Sequence, residues 1–224
     1  MKFHVMTLFP ELIRYVTGES IIGRAIKSGA ISVDAHNIRD YSKDKHRRVD
    51  DTPYGGGMGM LMTAPPVCDC YDSIKEHIEG SARCVYMSPK GSVLNHKKAL
   101  ELSKYDNIII LCGHYEGIDQ RAVDYVADEE ISVGDYVLTG GEIPALILID
   151  CVSRLCDGVL AAADCYEDES IASGLLEYPH YTRPEVYKGE SVPKVLLDGN
   201  HAEINKWRRE KALEITIKKR PDLI

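Results

Sequence analysis

Between Asn107 and Pro144 two apolar β-type runs, NIIILC and ISVGDYVL, each break into a loop of glycine and acid or tyrosine before a helical pattern begins. An apolar strand that opens into glycine at its C-terminal end, ahead of a helix N-terminus, is where open α/β sheets hold small ligands. The alternation extends over most of the chain. Runs at 3–9, 31–38, 82–88, 107–112 and 131–138 predict strands, and stretches near 11–28, 65–78, 94–105, 118–126 and 141–156 predict helices. Strands separated by helices need crossover connections, and crossovers build a parallel sheet with helices on its faces. The helical stretch EIPALILIDCVSRLC is apolar almost all round, so it is expected to be buried on several sides and to form part of a subunit interface.

After Gly158 the texture changes to a small, acidic segment (AAADCYEDES) and then to one rich in proline, glycine and tyrosine. This pattern predicts an α/β domain over 1–160, a linker over 161–173, and a small, mainly helical C-terminal domain over 174–224 with a helix at 200–219. No internal repeat interrupts this order.

With 224 residues, 44% of them hydrophobic and 28% charged, the chain can bury an ordinary α/β core plus an appendage. Its longest apolar stretch is far short of a bilayer span, and MKFHVMTLFPEL suits a strand running into a helix better than a signal peptide. A cytoplasmic protein without membrane contact is expected. Seven cysteines, an odd number with no CxxC pair, suit small buried hydrophobes in a reducing compartment and no zinc site. The net charge of −8 disfavours nucleic acid, yet the cations cluster at Lys43–Arg48 and again from Lys206 to Arg220. From charge alone each cluster is a solvated face.

Tyr54-Gly55-Gly56-Gly57-Met58-Gly59 lacks the closing Gly-Lys-Ser/Thr of a phosphate loop, and no GxGxxG with a following acid marks a nicotinamide site. The glycine-rich run together with the cations before it would suit a loop closing over an anionic substrate; a loop without chemistry is the equal alternative. Loops at 88–91, 113–117 and 134–141 all follow predicted strands, so a parallel sheet brings them to one edge. They present main-chain groups beside aromatic rings, an arrangement suited to a heterocycle such as adenine.

YGGGMGMLM, LCGHYEGIDQR, ISVGDYVLTGGEIPA, LIDCVSR, GLLEYPHYTRPEV and GNHAEINKWR, in this order, resemble the TrmD family of bacterial tRNA (guanine-N1)-methyltransferases, of the SPOUT class. The resemblance covers essentially the whole chain. It implies a SPOUT-type parallel sheet with a deep trefoil knot, S-adenosylmethionine as cofactor, tRNA as substrate, and a homodimer whose interface completes each active site. Carried over residue by residue, it places Tyr86, Ser88, Pro89 and Gly91 in one wall of the cofactor pocket and Gly113, Tyr115 and Glu116 in the second. The third wall is Ser132, Val133, Gly134, Asp135, Tyr136, Val137 and Leu138 with Gly140, Gly141 and Pro144.

The implied reaction moves a methyl from a sulfonium to guanine N1 at the position immediately 3′ to the anticodon (position 37). N1 carries a proton at neutral pH, so a carboxylate must take it while a cation steadies the charge that spreads to O6. The resemblance assigns the cation to Arg154, for which an ion pair with Asp150 one turn earlier is a competing role. The carboxylate is where this chain departs. The family has aspartate directly before the linker serine; here Glu167-Asp168-Glu169-Ser170 puts glutamate there. Glu169 is favoured by position, and Asp168 serves if the linker shifts register. Tyr178, His180, Tyr181 and Arg183 are candidates to stack on or clamp an exposed anticodon-loop base, and packing within the small domain is the equal alternative. Involvement of a divalent ion such as Mg2+ stays open, and a final helix of some family members is expected to be short or absent. A SPOUT ribose 2′-O-methyltransferase and a non-catalytic RNA-binding relative are the alternatives; the GLLEYPHYTRPEV block disfavours the first, and Arg154 with three glycine loops the second.

Overall fold

A computed structural model describes residues 1–160, 170–171 and 173–224. The chain divides into two compact units, Met1–Ala161 and Ala162–Ile224.

The first unit is a five-stranded sheet with helices on both faces. In chain order its elements are β1 (Lys2–Thr7), α1 (Pro10–Thr17), α2 (Ser20–Ser28), β2 (Ser32–Asn37), the short hairpin β3 (Asp50–Asp51) and β4 (Leu61–Met62), α3 (Ala64–Lys75), β5 (Ala82–Val93), α4 (His96–Leu102), β6 (Asn107–Cys112), α5 (Gln120–Val126), β7 (Glu129–Ser132) and α6 (Glu142–Ser153). The sheet runs β2-β1-β6-β5-β7, every neighbouring pair parallel. Central β6 is buried at every residue, as a strand covered on both faces must be. Its side chains alternate between two cores: Ile108, Ile110 and Cys112 join Phe3, Val5, Val85 and Leu148 on one face. Ile109 and Leu111 join Met6, Cys84, Val67 and Val123 on the other.

Four elements differ from the sequence expectations. The helix expected at 11–28 is two helices, because the chain breaks at Gly18; Gly23 packs so closely that a Cβ there would lie 2.1 Å from the Gly18 carbonyl oxygen. The strand expected at 131–138 ends at Ser132. Beyond it the Ser132 hydroxyl both accepts from Gly134 N–H (3.1 Å) and donates to Gly134 O (3.0 Å), and Gly134 turns at φ 145°. Hairpin β3–β4, which carries the glycine-rich run at its tip, was not expected. Strand β5 also continues past Met87: both Met87 and Ser92 stand opposite Ile131, so residues 88–91 leave the ladder as a bulge and return.

The described cysteines are free, and burial pushes the Cys70 thiol up to about 12 and raises those of Cys84 and Cys112. Among the described residues no helix is long and apolar enough to cross a membrane.

The second unit is built on α7 (His201–Lys219), whose first turn is capped by the Asn200 side chain accepting from Glu203 N–H. Thr216 is fully buried. Its hydroxyl donates to Ala212 O (2.7 Å) and accepts from Leu176 N–H (2.8 Å), fixing the segment before Glu177 onto the helix. A hairpin of β8 (Val186–Tyr187) and β9 (Glu190–Ser191) completes it.

Candidate functional site

The middle of β5, where it bulges, and the C-terminal ends of β6 and β7 enclose a pocket. One wall is the β5 bulge, with Tyr86, Met87, Ser88 and Pro89; the second is the loop Gly113–Gly117; the third runs from Ile131 through Tyr136 to Gly141 and Pro144. Proline cannot donate to a ladder, so Pro89 suits a segment that leaves the sheet. The walls touch through glycine. A Cβ on Gly113 would lie 3.0 Å from the Tyr86 hydroxyl, and one on Gly141 would lie 2.7 Å from the Cys112 Cα. Gly141 N–H donates to Gly113 O at 2.8 Å, tying the third wall to the second. Tyr86, whose phenol burial raises above its usual value, is neutral near pH 7.

Most of the expected cofactor residues therefore line one cavity: Tyr86, Ser88, Pro89, Gly113, Tyr115, Glu116, Ser132, Val133, Tyr136, Val137, Leu138, Gly140, Gly141 and Pro144. Gly91, Gly134 and Asp135 are off that lining. Gly91 returns the bulge to the sheet, where a Cβ would lie 2.3 Å from the Glu130 carbonyl carbon, and Gly134 makes the turn that ends β7. Met87 and Ile131 line the pocket without having been expected, and so do His114, Gly117 and Thr139, which belong to the loops expected at this edge but were not among the assigned cofactor residues. For His114 a signal existed, its place between Gly113 and Tyr115 in a strand-end loop.

The β3–β4 hairpin is stitched to the second wall. Glu116 N–H donates to Met60 O (3.0 Å), Met62 N–H to Gly117 O (2.9 Å), and Asp119 N–H to Met62 O (2.9 Å). The Tyr115 hydroxyl stands 3.4 Å from Asp50 Oδ1 and 3.4 Å from Arg39 Nη2, and Tyr115 itself has a positive φ of 58°. Much of the nearby basic group is already paired: Lys43 with Asp69 (2.8 Å), Arg47 with Asp40 (2.9 Å) and Arg48 with Asp44 (3.0 Å). The Arg48 guanidinium holds the Asp44 carboxyl well below the usual range.

A family model described as tRNA (Guanine-1)-methyltransferase TrmD matches residues 1–224. The chain belongs to the TrmD family. It is 60% identical over 223 residues to a tRNA (guanine-N(1)-)-methyltransferase of Ruminiclostridium cellulolyticum, covering 100% of this chain and 96% of the relative. A protein of the same name from Lachnospira eligens is 58% identical (100% and 94% covered), and one from Clostridioides difficile is 52% identical (100% and 97% covered).

In this TrmD-family chain the expected cation, Arg154, is not among the residues lining the pocket. Glu169 and Asp168 lie outside the described residues. Arg154 follows the last turn of α6 (φ −61°), whereas Pro144 near the helix start lines the pocket. The helix between them rises about 15 Å. Ile143 (49% exposed) and Ile147 (41%), one turn apart on α6, leave an apolar stripe uncovered, and Leu12 and Val16 do the same on neighbouring α1.

In the second unit, the aromatic residues around Tyr178 form a cluster. Tyr178 and Tyr181 each lie 6.4 Å from Trp207, His180 lies 4.7 Å from Tyr178, and the Arg208 guanidinium sits 4.9 Å above the Tyr178 ring. Arg183 borders a shallow depression with Tyr181 and Leu196. Among the described residues Lys206, Arg209, Lys218 and Lys219 make no ion pair.

Proposed function

We propose that this chain methylates N1 of guanine in tRNA immediately 3′ to the anticodon, using S-adenosylmethionine held in the three-walled pocket. The observation that carries this reading is the pocket itself: strand-end walls of bare main chain and aromatic rings, in a chain matched along its length by the TrmD family. Glycines at 113 and 140 put no side chain between the pocket and the main chain, and Tyr86, Tyr115 and Leu138 supply apolar surface, so the residues fit a nucleoside cofactor. When bound, that cofactor supplies an electrophilic methyl on a sulfonium. The knot belongs to the same reading, supported by the parallel β6-β5-β7 core and the bond between Gly141 and Gly113.

The chain's own task is to position the base, take the N1 proton and steady the charge on O6. Glu169, or Asp168, takes the proton; Arg154 faces O6. An arginine side chain does not span about 15 Å, so Arg154 meets the pocket of a second copy. The apolar stripe of Leu12, Val16, Ile143 and Ile147 supports such a homodimer. The cations of α7 grip tRNA phosphates, and the Tyr178–Trp207 cluster stacks on an exposed base. A cytoplasmic location completes the reading.

The test is to incubate the protein with methyl-labelled S-adenosylmethionine and tRNA transcripts that differ only at the base 3′ to the anticodon. Label is expected on guanine N1. Incorporation independent of that base overturns the reading.

A further inference from the structure

The glycine-rich run that fails as a phosphate loop forms the tip of the β3–β4 hairpin. Four of the six residues between Pro53 and Met60 are glycine, so the tip carries only two side chains, Tyr54 and Met58. They are 101% and 92% exposed, more than any other large apolar side chain of the described residues. A lone apolar side chain in water is ordinary; these two share one projection with no polar side chain between them. Gly55 and Gly56 turn at φ 86° and 79°, and a Cβ on either would meet nothing within 4 Å, so the space around the tip is open. The foot of the hairpin, by contrast, is fixed at the pocket. Main-chain bonds tie Met60 and Met62 to Glu116 and Gly117 of the second wall, and Gly59 lies against the Glu116 side chain, where a Cβ would stand 2.4 Å from Cγ. Two cations accompany it. Arg39, whose Nη2 lies 3.4 Å from the Tyr115 hydroxyl, and Lys45, in the segment leading into β3, make no ion pair among the described residues.

An aromatic ring and a thioether without polar neighbours suit a flat, polarisable surface, and unpaired cations close by favour one carried on an anionic chain. An unpaired nucleobase of an RNA loop has both properties. Methyl transfer to N1, on the pairing edge of guanine, requires the target to leave its stack, and the neighbouring base then loses a partner on one face. We propose that Tyr54, supported by Met58, stacks on the nucleobase next to the target guanine and holds the tRNA loop open beside the pocket. This role rests on the pocket being the methyl-transfer site. Neither side chain lines the pocket, so the tip positions tRNA and leaves the cofactor untouched. Every base has a flat face, so such stacking tolerates any neighbour.

The test measures kcat and KM for the unchanged protein, Tyr54→Ala, Tyr54→Phe and Met58→Ala on three tRNA transcripts. One is intact, and the other two are abasic at the 5′ or the 3′ neighbour of the target guanosine. On the intact transcript Tyr54→Ala is expected to lower kcat/KM about tenfold or more. Met58→Ala should lose less, and Tyr54→Phe, which keeps the ring, should stay near the parent. S-adenosylhomocysteine binding and thermal midpoints should match those of the parent in all three variants, since both side chains stand in water. On one of the abasic transcripts the loss from Tyr54→Ala should shrink to within about twofold, because the base that the ring would meet is already gone. An equal loss on all three transcripts, or no loss on the intact one, overturns the proposal. If the unchanged protein does not methylate the intact transcript, the reading of the pocket as the methyl-transfer site falls, and the role of the tip falls with it.

Discussion

Thr7, the last residue of β1, donates its hydroxyl hydrogen to Oε1 of Glu142 at 2.7 Å, and both residues are buried. The same hydroxyl oxygen accepts Phe9 N–H at 2.9 Å. One small side chain thus holds the start of α6 against the end of β1. Replacing it by valine keeps the shape and strips a buried carboxylate of its donor. Thr7→Val should lower unfolding free energy by about 1.5–3 kcal/mol, while Thr7→Ser stays near the parent; urea titrations of both variants check this.

Glycines of this chain should respond unequally to alanine. At Gly91 the added methyl meets the Glu130 carbonyl carbon at 2.3 Å, and backbone cannot step aside. At Gly29, the C-cap of α2, φ is 79° and nothing lies within 4 Å, so only the left-handed backbone penalty applies. Gly29→Ala is expected to cost about 1 kcal/mol and Gly91→Ala about 3 kcal/mol or more. A comparable loss at both sites, seen in thermal midpoints, would contradict the close approach.

His4 and His36 form a pair, Nδ1 to Nε2, at 3.3 Å on adjacent strands. Burial, the largest cause, lowers both below the usual 6.5; Asn107 and Asp34 oppose it at His4, while His4 adds to it at His36, and Lys2 and Arg14 contribute smaller repulsions. The unfolded chain therefore binds protons at a pH where the folded pair does not, and stability is lost as pH falls through 6.5. Unfolding free energies at pH 8, 7, 6 and 5 should decline less steeply in His36→Gln than in the parent. Parallel profiles would show that the pair is not linked to folding.

If α7 grips phosphates, tRNA affinity should fall steeply with salt. Replacing Lys206, Arg209, Lys218 and Lys219 together by glutamine should flatten the log–log salt slope by roughly one unit for each phosphate that is no longer neutralised. Filter binding across a salt series measures this, and an unaltered slope would remove α7 from the interface.

Arg154→Ala should reduce methyl transfer by orders of magnitude and leave S-adenosylhomocysteine binding near normal. Mixed with a pocket-filling Leu138→Trp variant, equally inactive alone, it should regain about a quarter of full activity by random pairing of two copies. No recovery after subunit exchange would place Arg154 and the pocket it serves in one chain.

The parallel sheet was legible because periodicity marks buried strands: NIIILC is β6, residue for residue. What periodicity missed was made by contacts between distant residues. ISVGDYVL has strand composition, yet the Ser132–Gly134 turn ends β7 after four residues and turns the remainder into a pocket wall. The glycine-rich run gave no sign of its hairpin, since β3 and β4 are two residues each and are held by main-chain bonds to Gly117 and Asp119. The loop that carries His114 was legible, but the surroundings of its ring were not. Its shielded nitrogen depends on Phe9 and Gly140, which only the fold brings beside it.

Two of the pocket's walls meet as main chain against main chain, with Gly141 lying on Cys112 and bonded to Gly113. Side-chain replacement cannot alter a carbonyl or an amide, and at these positions it cannot add bulk without opening the fold. A competitive inhibitor anchored on these main-chain groups would therefore leave escape by point mutation only at the periphery, where side chains such as Val137 still border the cavity.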